Sequence, residues 1–514
     1  MAVELPYDSS VVAAPAIRER TRWVPLLCGV LLILMLPALA HRGRFGVSPD
    51  SYSYLSAAIN VSQGRGLVLS QVDPVTPTTP DGRVRRRPLT QWPPLYPLLV
   101  AALVACRADP LQAGWAVAYA STTIALLLAW LLVLRSTPRW AAIPAAFLLA
   151  TLPGATLVAV RAWSEGTALA CLMAIHLLLD EALDRRSATR RGTWPAIAVL
   201  TLLGLYTRYA FVFVIPWVAL GMWWAWRRWR PVVGYVAMVT AGYLPWLGWN
   251  VLESGHLSGR ALRPAHQGPL EVVIDVARHL LGRELPALTG SLIVLGFLLL
   301  LRRNWRTLAE HALQQRVTLL VIAGAGQLLL LAASLTRHRF DPVGIRFTGP
   351  ITVLFAVALL LVLAHPRRTR ARGPGLRIEA GVAAAILLFN AAAFCRPIAP
   401  YTLEVPPSLV RFFRESIPPG AVYAGDRCAA ALQVHAPDCR YLPSLGVRMR
   451  GGAAVSADDL AGLTAHLGLE FLVLLDAPLP PLPPGSRVLY GAGWAIVDLD
   501  GSNGAPGFSP RVPR

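Results

Sequence analysis

Long apolar runs recur along this chain, divided by short arginine-bearing segments. They fall at about 23–40, 112–134, 140–160, 165–180, 194–206, 209–226, 231–250, 285–301, 316–335, 347–364 and 376–395. Several approach the ~20 residues that a helix needs to cross the hydrocarbon core of a bilayer. The pattern predicts an α-helical polytopic membrane protein with about eleven spans. The rhythm changes at residue 396. After a Pro-rich start, the pieces LEFLVLLD (Leu469–Asp476) and WAIVDLD (Trp494–Asp500) read as strands, beside helical stretches at 406–416 and 457–467. The tail is therefore expected to form a small α/β domain.

Charge then orients the spans. Arg18, Arg20 and Arg22 precede the first run, which places residues 1–22 in the cytoplasm. Alternation puts Arg135–Arg139, Arg185–Arg191, Arg227–Arg230, Arg302–Arg316 and Arg367–Arg377 on the same side, and all five connections are net positive, as the positive-inside rule requires. Ala38-Leu39-Ala40 resembles a signal-peptidase site, but with so many spans following, an uncleaved anchor is expected. Either way residue 41 emerges outside. One apolar run breaks the alternation if it crosses: Gln91–Ala105. Its prolines Pro93, Pro94 and Pro97 and its short apolar stretch suit an interfacial or re-entrant segment, so it stays on the outer face. The expected domains are a transmembrane part at 23–395, with a first outer loop at 41–111 and a second at 251–284, followed by an extracytoplasmic domain at 396–514.

The formal net charge is +20, and every one of the 48 basic residues is arginine, which reflects a compositional bias. The basic balance does not point to nucleic acid, because the arginines sit mostly in short loops between apolar runs. The six cysteines show no CxxC and no zinc spacing. Cys428 and Cys439, in the tail, are either a disulfide or two free thiols.

Chemistry-bearing residues gather on the outer side. SPDSYSYLSAAIN (Ser48–Asn60) opens a short helix with Pro49 in its first turn and Ser48 or Asp50 as its cap. Tyr52, Leu55 and Ile59 recur at spacings of three and four, so this helix is expected to lay one apolar face on the bilayer surface. An acid at that position is ordinarily a cap; the alternative is a general base. Glu165, at the mouth of a later span, provides a second acid on the same side. Arg161, Arg208, Arg260, Arg263, Arg337, Arg339 and Arg346 run against the positive-inside trend, and their planar donor forks suit a lipid phosphate. Pairing with carboxylates or lipid headgroups is the alternative for each. Arg83, Arg85, Arg86 and Arg87 read as a solvated, mobile loop. His256, His266 and His279, with Glu253, Glu271 and Asp275, match no recognised metal signature but leave a divalent-metal site open. Walker A, GxSxG and HExxH motifs are absent from the sequence.

The order of segments resembles a known family. PDSYSYLSAAINVSQGRGL, QWPPLYPLL, RAWSE, TRY, NVLESGHLSGR and RFTGP succeed one another as in the GT-C membrane glycosyltransferases, over about residues 20–365. The chain is similar to the bacterial family 39 mannosyltransferases, the aminoarabinose transferases of lipid A and the rhizobial lipopolysaccharide sugar transferases. The resemblance implies transfer of a sugar from a polyprenyl-phosphate carrier to a lipid, glycan or protein acceptor outside the cytoplasmic membrane. It implies Asp50 as catalytic base, with Ser51 standing where the family often has a second acid. It implies Glu165 as a second acid and Arg208 or Arg346 as the group that stabilises the departing phosphate; Arg161 and Arg260 join them as candidate phosphate ligands, and Tyr52, Tyr54 and Tyr96 are candidate acceptor-binding or positioning groups. In the family, C-terminal outer domains vary and are not catalytic. Two rivals remain: a transporter or flippase for lipid-linked sugars, and a non-catalytic assembly protein. Transporters ordinarily carry polar breaks at mid-membrane in two matched repeats, and no repeat is visible here.

Overall fold

Continuous apolar sequence makes helices that are hydrophobic all round, and such helices bury themselves against one another or face lipid. The computed structural model describes residues 23–40, 45–73, 85–138, 141–184, 193–260, 268, 271–272, 293, 296, 311–337, 345–363, 384, 386–388, 390–392, 405–425, 429–442, 456–467, 469–474, 480–491 and 494–499. The helical elements up to residue 363 are α1 (Val24–Ala40), α2 (Pro49–Ser62), α3 (Leu95–Ala105), α4 (Pro110–Ser136), α5 (Ala142–Thr151), α6 (Pro153–Ala159), α7 (Glu165–Asp184), α8 (Thr193–Leu205), α9 (Val214–Trp226), α10 (Trp229–Ser254), α11 (His311–Arg337) and α12 (Ile345–Leu363). A 3-10 turn at Tyr209–Phe213 leads into α9.

Five helical stretches are long and apolar enough to cross a membrane among the described residues: Pro110–Ser136, Glu165–Leu183, Tyr209–Trp226, Trp229–Ser254 and Gln314–Ser334. A sixth is the pair α5–α6, bent by 64°. Pro153 explains the bend, because it has no N–H to continue the ladder of α5. Val24–Leu39, Thr193–Leu205 and Phe347–Leu363 are shorter apolar helices. Nine of the expected runs thus fall on described helical elements. The remaining two, near 285–301 and 376–395, lie largely outside the described residues. The Pro-led segment Leu95–Ala105 is an 11-residue helix lying along α2 and α4, too short to span.

The bundle is built around α4 and α7. Gly166, in the first turn of α7, lets the two meet: a methyl there would stand 2.3 Å from Thr122 Oγ1 and 3.1 Å from the Ala118 carbonyl. The opposite end of α7 carries Asp180, only 2 % exposed. Arg135 at the end of α4 approaches it at 3.7 Å, and Arg316 near the start of α11 pairs with it. Arg316 also donates to Ser136 Oγ at 2.9 Å. One buried carboxylate therefore ties three helix ends. Glu165 and Asp180 are separated by about 22 Å along α7, at 1.5 Å per residue, so the bundle has a Glu165 end and an Asp180 end.

The C-terminal segment contributes α13 (Pro407–Ser416), β3 (Val422–Gly425), α14 (Leu432–His435), β4 (Arg440–Tyr441), α15 (Ala457–Leu467), β5 (Leu469–Leu474), β6 (Arg487–Gly491) and β7 (Trp494–Asp498). Four of these, α13, α15, β5 and β7, fall on the helical and strand pieces read from the tail sequence, and the other four were not read there. The sheet does not stop there. β1 (Val68–Val72) and β2 (Arg86–Pro88), from the first loop, extend it to seven strands in the order β2-β1-β4-β3-β5-β7-β6. β1 meets β4 in parallel at Gln71↔Tyr441, and β2 lies antiparallel to β1. The two segments expected to be separate thus share one sheet.

Two expectations are corrected by this arrangement. Helix α2 does not lay one face on a bilayer, because Ser51 through Asn60 are all buried. It is enclosed by α3, α4, β1 and α14. Its short polar side chains suit a strand edge: Ser56 Oγ accepts from the Ser70 N–H at 2.7 Å, and Asn60 Nδ2 donates to the Val68 carbonyl at 3.1 Å. Nor are Arg85, Arg86 and Arg87 a loose solvated run, since each is half-buried with named partners; Arg83 lies outside the described residues. Cys439 is a buried free thiol, and Cys428 lies outside the described residues.

Asp180→Asn should leave two arginines without their counter-charge and cost about 3–5 kcal/mol, the range for breaking a buried pair. Thermal unfolding of the detergent-solubilised protein should show a lower midpoint. An unchanged midpoint would remove Asp180 as the tie between helix ends.

Candidate active site

The Glu165 end is assembled by hydrogen bonds that reach far along the chain. Gly46 forms a parallel bridge with Arg161. Its N–H donates to the Val160 carbonyl at 2.9 Å, and its own carbonyl accepts from Trp115 Nε1 at 3.3 Å. The first loop is thereby fastened to the RAWSE segment. Two residues later Ser48 caps α2 in a capping box with Ser51: the Ser51 N–H donates to Ser48 Oγ at 3.3 Å, and the Ser48 N–H donates to Ser51 Oγ at 3.0 Å. Ser48, not Asp50, is the cap. Ser51 has a structural task at the position where the resembled family often carries an acid. Asp50 stands half-buried in the first turn, where the helix dipole favours a carboxylate.

RAWSE then reaches back to that cap. Trp163 Nε1 donates to Ser48 Oγ at 2.7 Å, and the Arg161 guanidinium lies 4.8 Å over the Trp163 ring. Ser164 Oγ stands 3.2 Å from the Tyr54 hydroxyl and accepts from Arg208 Nη1 at 3.5 Å. Arg208 also pairs with Glu165 Oε1 at 2.5 Å. Glu165 is 3 % exposed and Arg208 21 %, so the carboxylate is neutralised where it is buried while the guanidinium keeps an open edge. That edge is available to a second anion.

The tyrosines divide by environment. Tyr52 is buried within the cluster that joins α2, α3 and α4. Tyr54 packs edge-on against Tyr96 at 5.2 Å and Trp92 at 5.9 Å. Tyr96 is fully buried and donates to the Gly114 carbonyl at 2.8 Å. Burial first, then Tyr54 and Glu165, pushes its phenol well above the usual range, so it acts here as a hydrogen-bond donor inside the packing.

A second layer adjoins this one. Tyr209, next to Arg208, donates to the Thr90 carbonyl at 2.5 Å and accepts from Asn250 Nδ2 at 2.8 Å and Trp246 Nε1 at 3.1 Å. Thr90 Oγ1 donates to the Gly259 carbonyl at 2.6 Å. Gly259 has φ +71°, and a methyl there would come 1.9 Å from the Thr90 carbonyl oxygen. Only glycine fits. This contact sets Arg260 beside the segment that carries Arg87. Burial lowers the Arg87 pKa from its ordinary value, Asp73 opposes it, and the charge of Arg260 adds a smaller push downward. Arg87 Nη2 donates to Gln91 Oε1 at 2.9 Å, and Arg85 pairs with Glu253 at 2.7 Å and Asp73 at 3.7 Å.

Asp50, Arg161, Glu165, Arg208, Tyr54 and Tyr96 are thus linked by the hydrogen bonds, ring contacts and short chain segments of one layer. Arg260 belongs to the adjoining one. Arg346 lies in the first turn of α12, and its side chain falls outside the described residues, as do Arg263 and Arg339. Where RFTGP continues, Gly349 meets Gly154 of α6 backbone to backbone. His256 is exposed, and His266, His279 and Asp275 lie outside the described residues. Among the described residues no three of His, Cys, Asp and Glu converge as a metal-binding group. Trp163, Ser164 and Tyr209 entered the sequence reading only as parts of RAWSE and TRY, Thr90 was not singled out, and Arg87 was read as part of a solvated run. The only signal for the first two is their adjacency to Glu165 in RAWSE.

Comparison with solved structures identifies the architecture. The chain shares its fold with the crystal structure of ArnT from Cupriavidus metallidurans in the apo state, with TM-score 0.58 and 12 % identity over 94 % of this chain and 99 % of that one. The same protein bound to undecaprenyl phosphate gives 0.56 at 12 % identity, over 92 % and 97 %. The Archaeoglobus fulgidus oligosaccharyltransferase, in complex with zinc and sulfate, gives 0.55 at 12 % identity, over 88 % and 67 %. The fold is the GT-C membrane fold. No protein-family model matches the sequence, and no curated protein matches it either.

Glu165→Gln should weaken the pairing that holds Arg208 and lower stability by about 3 kcal/mol, the low end for a broken buried pair because Arg208 is partly exposed. Thermal unfolding checks this, and an unchanged midpoint would show that the pair contributes nothing to the packing of α7.

Proposed function

We propose that the chain is an inverting membrane glycosyltransferase that uses a polyprenyl-phosphate sugar and works at the outer face of the cytoplasmic membrane. The observation that carries this reading is the fastening of the Asp50 helix to RAWSE, through Trp163 and Ser48, beside the Glu165–Arg208 pair. The fold shared with ArnT, one structure of which holds undecaprenyl phosphate, supports a lipid-linked donor. The net-positive connections at the Asp180 end of the bundle support an orientation with the Glu165 end and the C-terminal domain outside and the N-terminus inside.

In this mechanism Asp50 accepts the proton of the acceptor hydroxyl. The hydroxyl oxygen bonds to the anomeric carbon from the face opposite the phosphate. The anomeric C–O bond breaks, its electron pair leaves with the polyprenyl phosphate, and the configuration inverts. Arg208, oriented by Glu165, and the neighbouring Arg87 and Arg260 supply the positive charge that the departing phosphate requires; Arg161 and Arg346 are further candidates for the same task. Fixed guanidinium groups in a site from which water is excluded stabilise that charge more than solvent does. Glu165 acts as a positioning residue for Arg208. Tyr54 supports the same layer through Ser164, and Tyr52 and Tyr96 support it through packing. The acceptor is an envelope lipid, glycan or protein.

Asp50→Asn should insert and fold normally and bind donor, yet lose sugar transfer by on the order of 10²–10⁴-fold, the usual worth of a general base. Membranes supplied with polyprenyl-phosphate sugar provide the assay. Transfer at the wild-type rate would end the assignment of Asp50.

A further inference from the structure

The C-terminal segment touches the Asp50 helix through a buried polar seam rather than through apolar packing alone. Arg86 Nη1 lies 2.9 Å from Asn60 Oδ1 on α2, 3.2 Å from Ser70 Oγ on β1 and 3.1 Å from the Pro437 carbonyl of the C-terminal segment. Ser70 Oγ also donates to that Pro437 carbonyl at 2.9 Å, and Asn60 Nδ2 donates to Ser70 Oγ at 3.1 Å. At the next residue of β1, Gln71 Nε2 donates to Gln433 Oε1 at 3.0 Å and to Ser53 Oγ, again on α2, at 3.4 Å. Outside the seam Arg65 pairs with Asp438. Burial, followed by the charges of Arg65 and Arg440, pushes the Arg86 pKa down to about 10, so the guanidinium stays charged at neutral pH.

These bonds serve no reacting group. They join α2 and the β1–β2 pair of the first loop to a C-terminal segment 351 residues beyond Arg86, and α2 carries Asp50. The buried polar face of α2, Ser53, Ser56 and Asn60, is satisfied by β1, and Pro437 and Gln433 bond the same Ser70 and Gln71 side chains of β1. Removing the far partner would leave buried polar groups unsatisfied and free the near ones to move.

We propose that the C-terminal domain positions the catalytic helix α2 through Arg86, with Gln433 as its second anchor, so that docking of the tail sets the placement of Asp50. Arg86 and Gln433 are then positioning residues, and the tail is part of the working enzyme. This rests on the reading of Asp50 as the base. A displacement of the base by about 1 Å is enough to cost on the order of 10²-fold in rate.

The test uses the full-length protein in detergent, with two readouts. Hydrogen exchange of the amides at 49–62 reports the helix, and kcat per donor-binding-competent molecule reports the chemistry. In Arg86→Met, exchange in α2 should accelerate while that of α4 and α7 stays unchanged. The kcat should fall by on the order of 10²-fold with KM for the donor little altered. Arg86→Lys should recover most of both, because an ammonium offers three donors to the same three acceptors. Gln433→Leu, which leaves α2 itself untouched, should act in the same direction and more weakly, and it decides the matter if Arg86→Met does not insert. Unchanged α2 exchange and unchanged kcat in these variants would overturn the proposal. If Asp50→Asn retains transfer while Arg86→Met still loosens α2, the base assignment fails and the mechanical coupling stands. If Asp50→Asn is inactive and α2 stays protected in Arg86→Met, the coupling alone falls.

Discussion

A helix that carries serines and an asparagine on one face cannot be buried unless those groups find partners, and α2 is buried on every side from Ser51 to Asn60. Much of the architecture follows from meeting that demand. Ser56 and Asn60 bond the backbone of β1. β1 is held by β2 and β4, and through β4 by the rest of the seven-stranded sheet. The cap of the same helix is closed by Ser51 and held by Trp163, which brings the mouth of α7 against its N-terminus. The first loop, the bundle and the tail therefore meet at one helix.

The second organising feature is the pair of carboxylates on α7. Asp180 and Glu165 stand near its two ends, both almost fully buried, and each is matched by arginine. Their surroundings differ in a way that bears on chemistry. Asp180 is shared by two arginines, Arg316 with 11 % and Arg135 with 36 % of its side chain exposed, and its part is to tie three helix ends. Glu165 faces Arg208, which retains an open edge and lies beside Ser164, Tyr54 and the layer containing Arg87 and Arg260. Guanidinium groups gathered at one end of a bundle attract an anion.

Much of the fold was legible in the chain. Apolar runs of span length appear as helices, the Pro-led segment at 91–105 is a short helix that does not cross, and strands occur at 469–474 and 494–498 in the tail. The acid and arginines of RAWSE and TRY were legible too, because charges at the mouths of apolar runs stand out. The burial of α2 was not. Its apolar positions at spacings of three and four suit a surface helix equally well, and nothing local announces that Ser56 and Asn60 will meet a strand. The three arginines at 85–87 read as solvated for the same reason, since Asn60, Pro437 and Glu253 are distant in sequence.

The sequence by itself determined the class of molecule, the helical spans and the residue types available at their ends. These depend on hydrophobicity and charge, which are local properties of a segment. Only the tertiary structure decided that Glu165 pairs with Arg208, that Ser48 rather than Asp50 caps its helix, and that two strands of the first loop complete the sheet of the tail. The first and last of those outcomes are pairings of polar groups between segments far apart in the chain. The choice of partner is set by which groups are left unsatisfied after the helices pack, and no single segment carries that information.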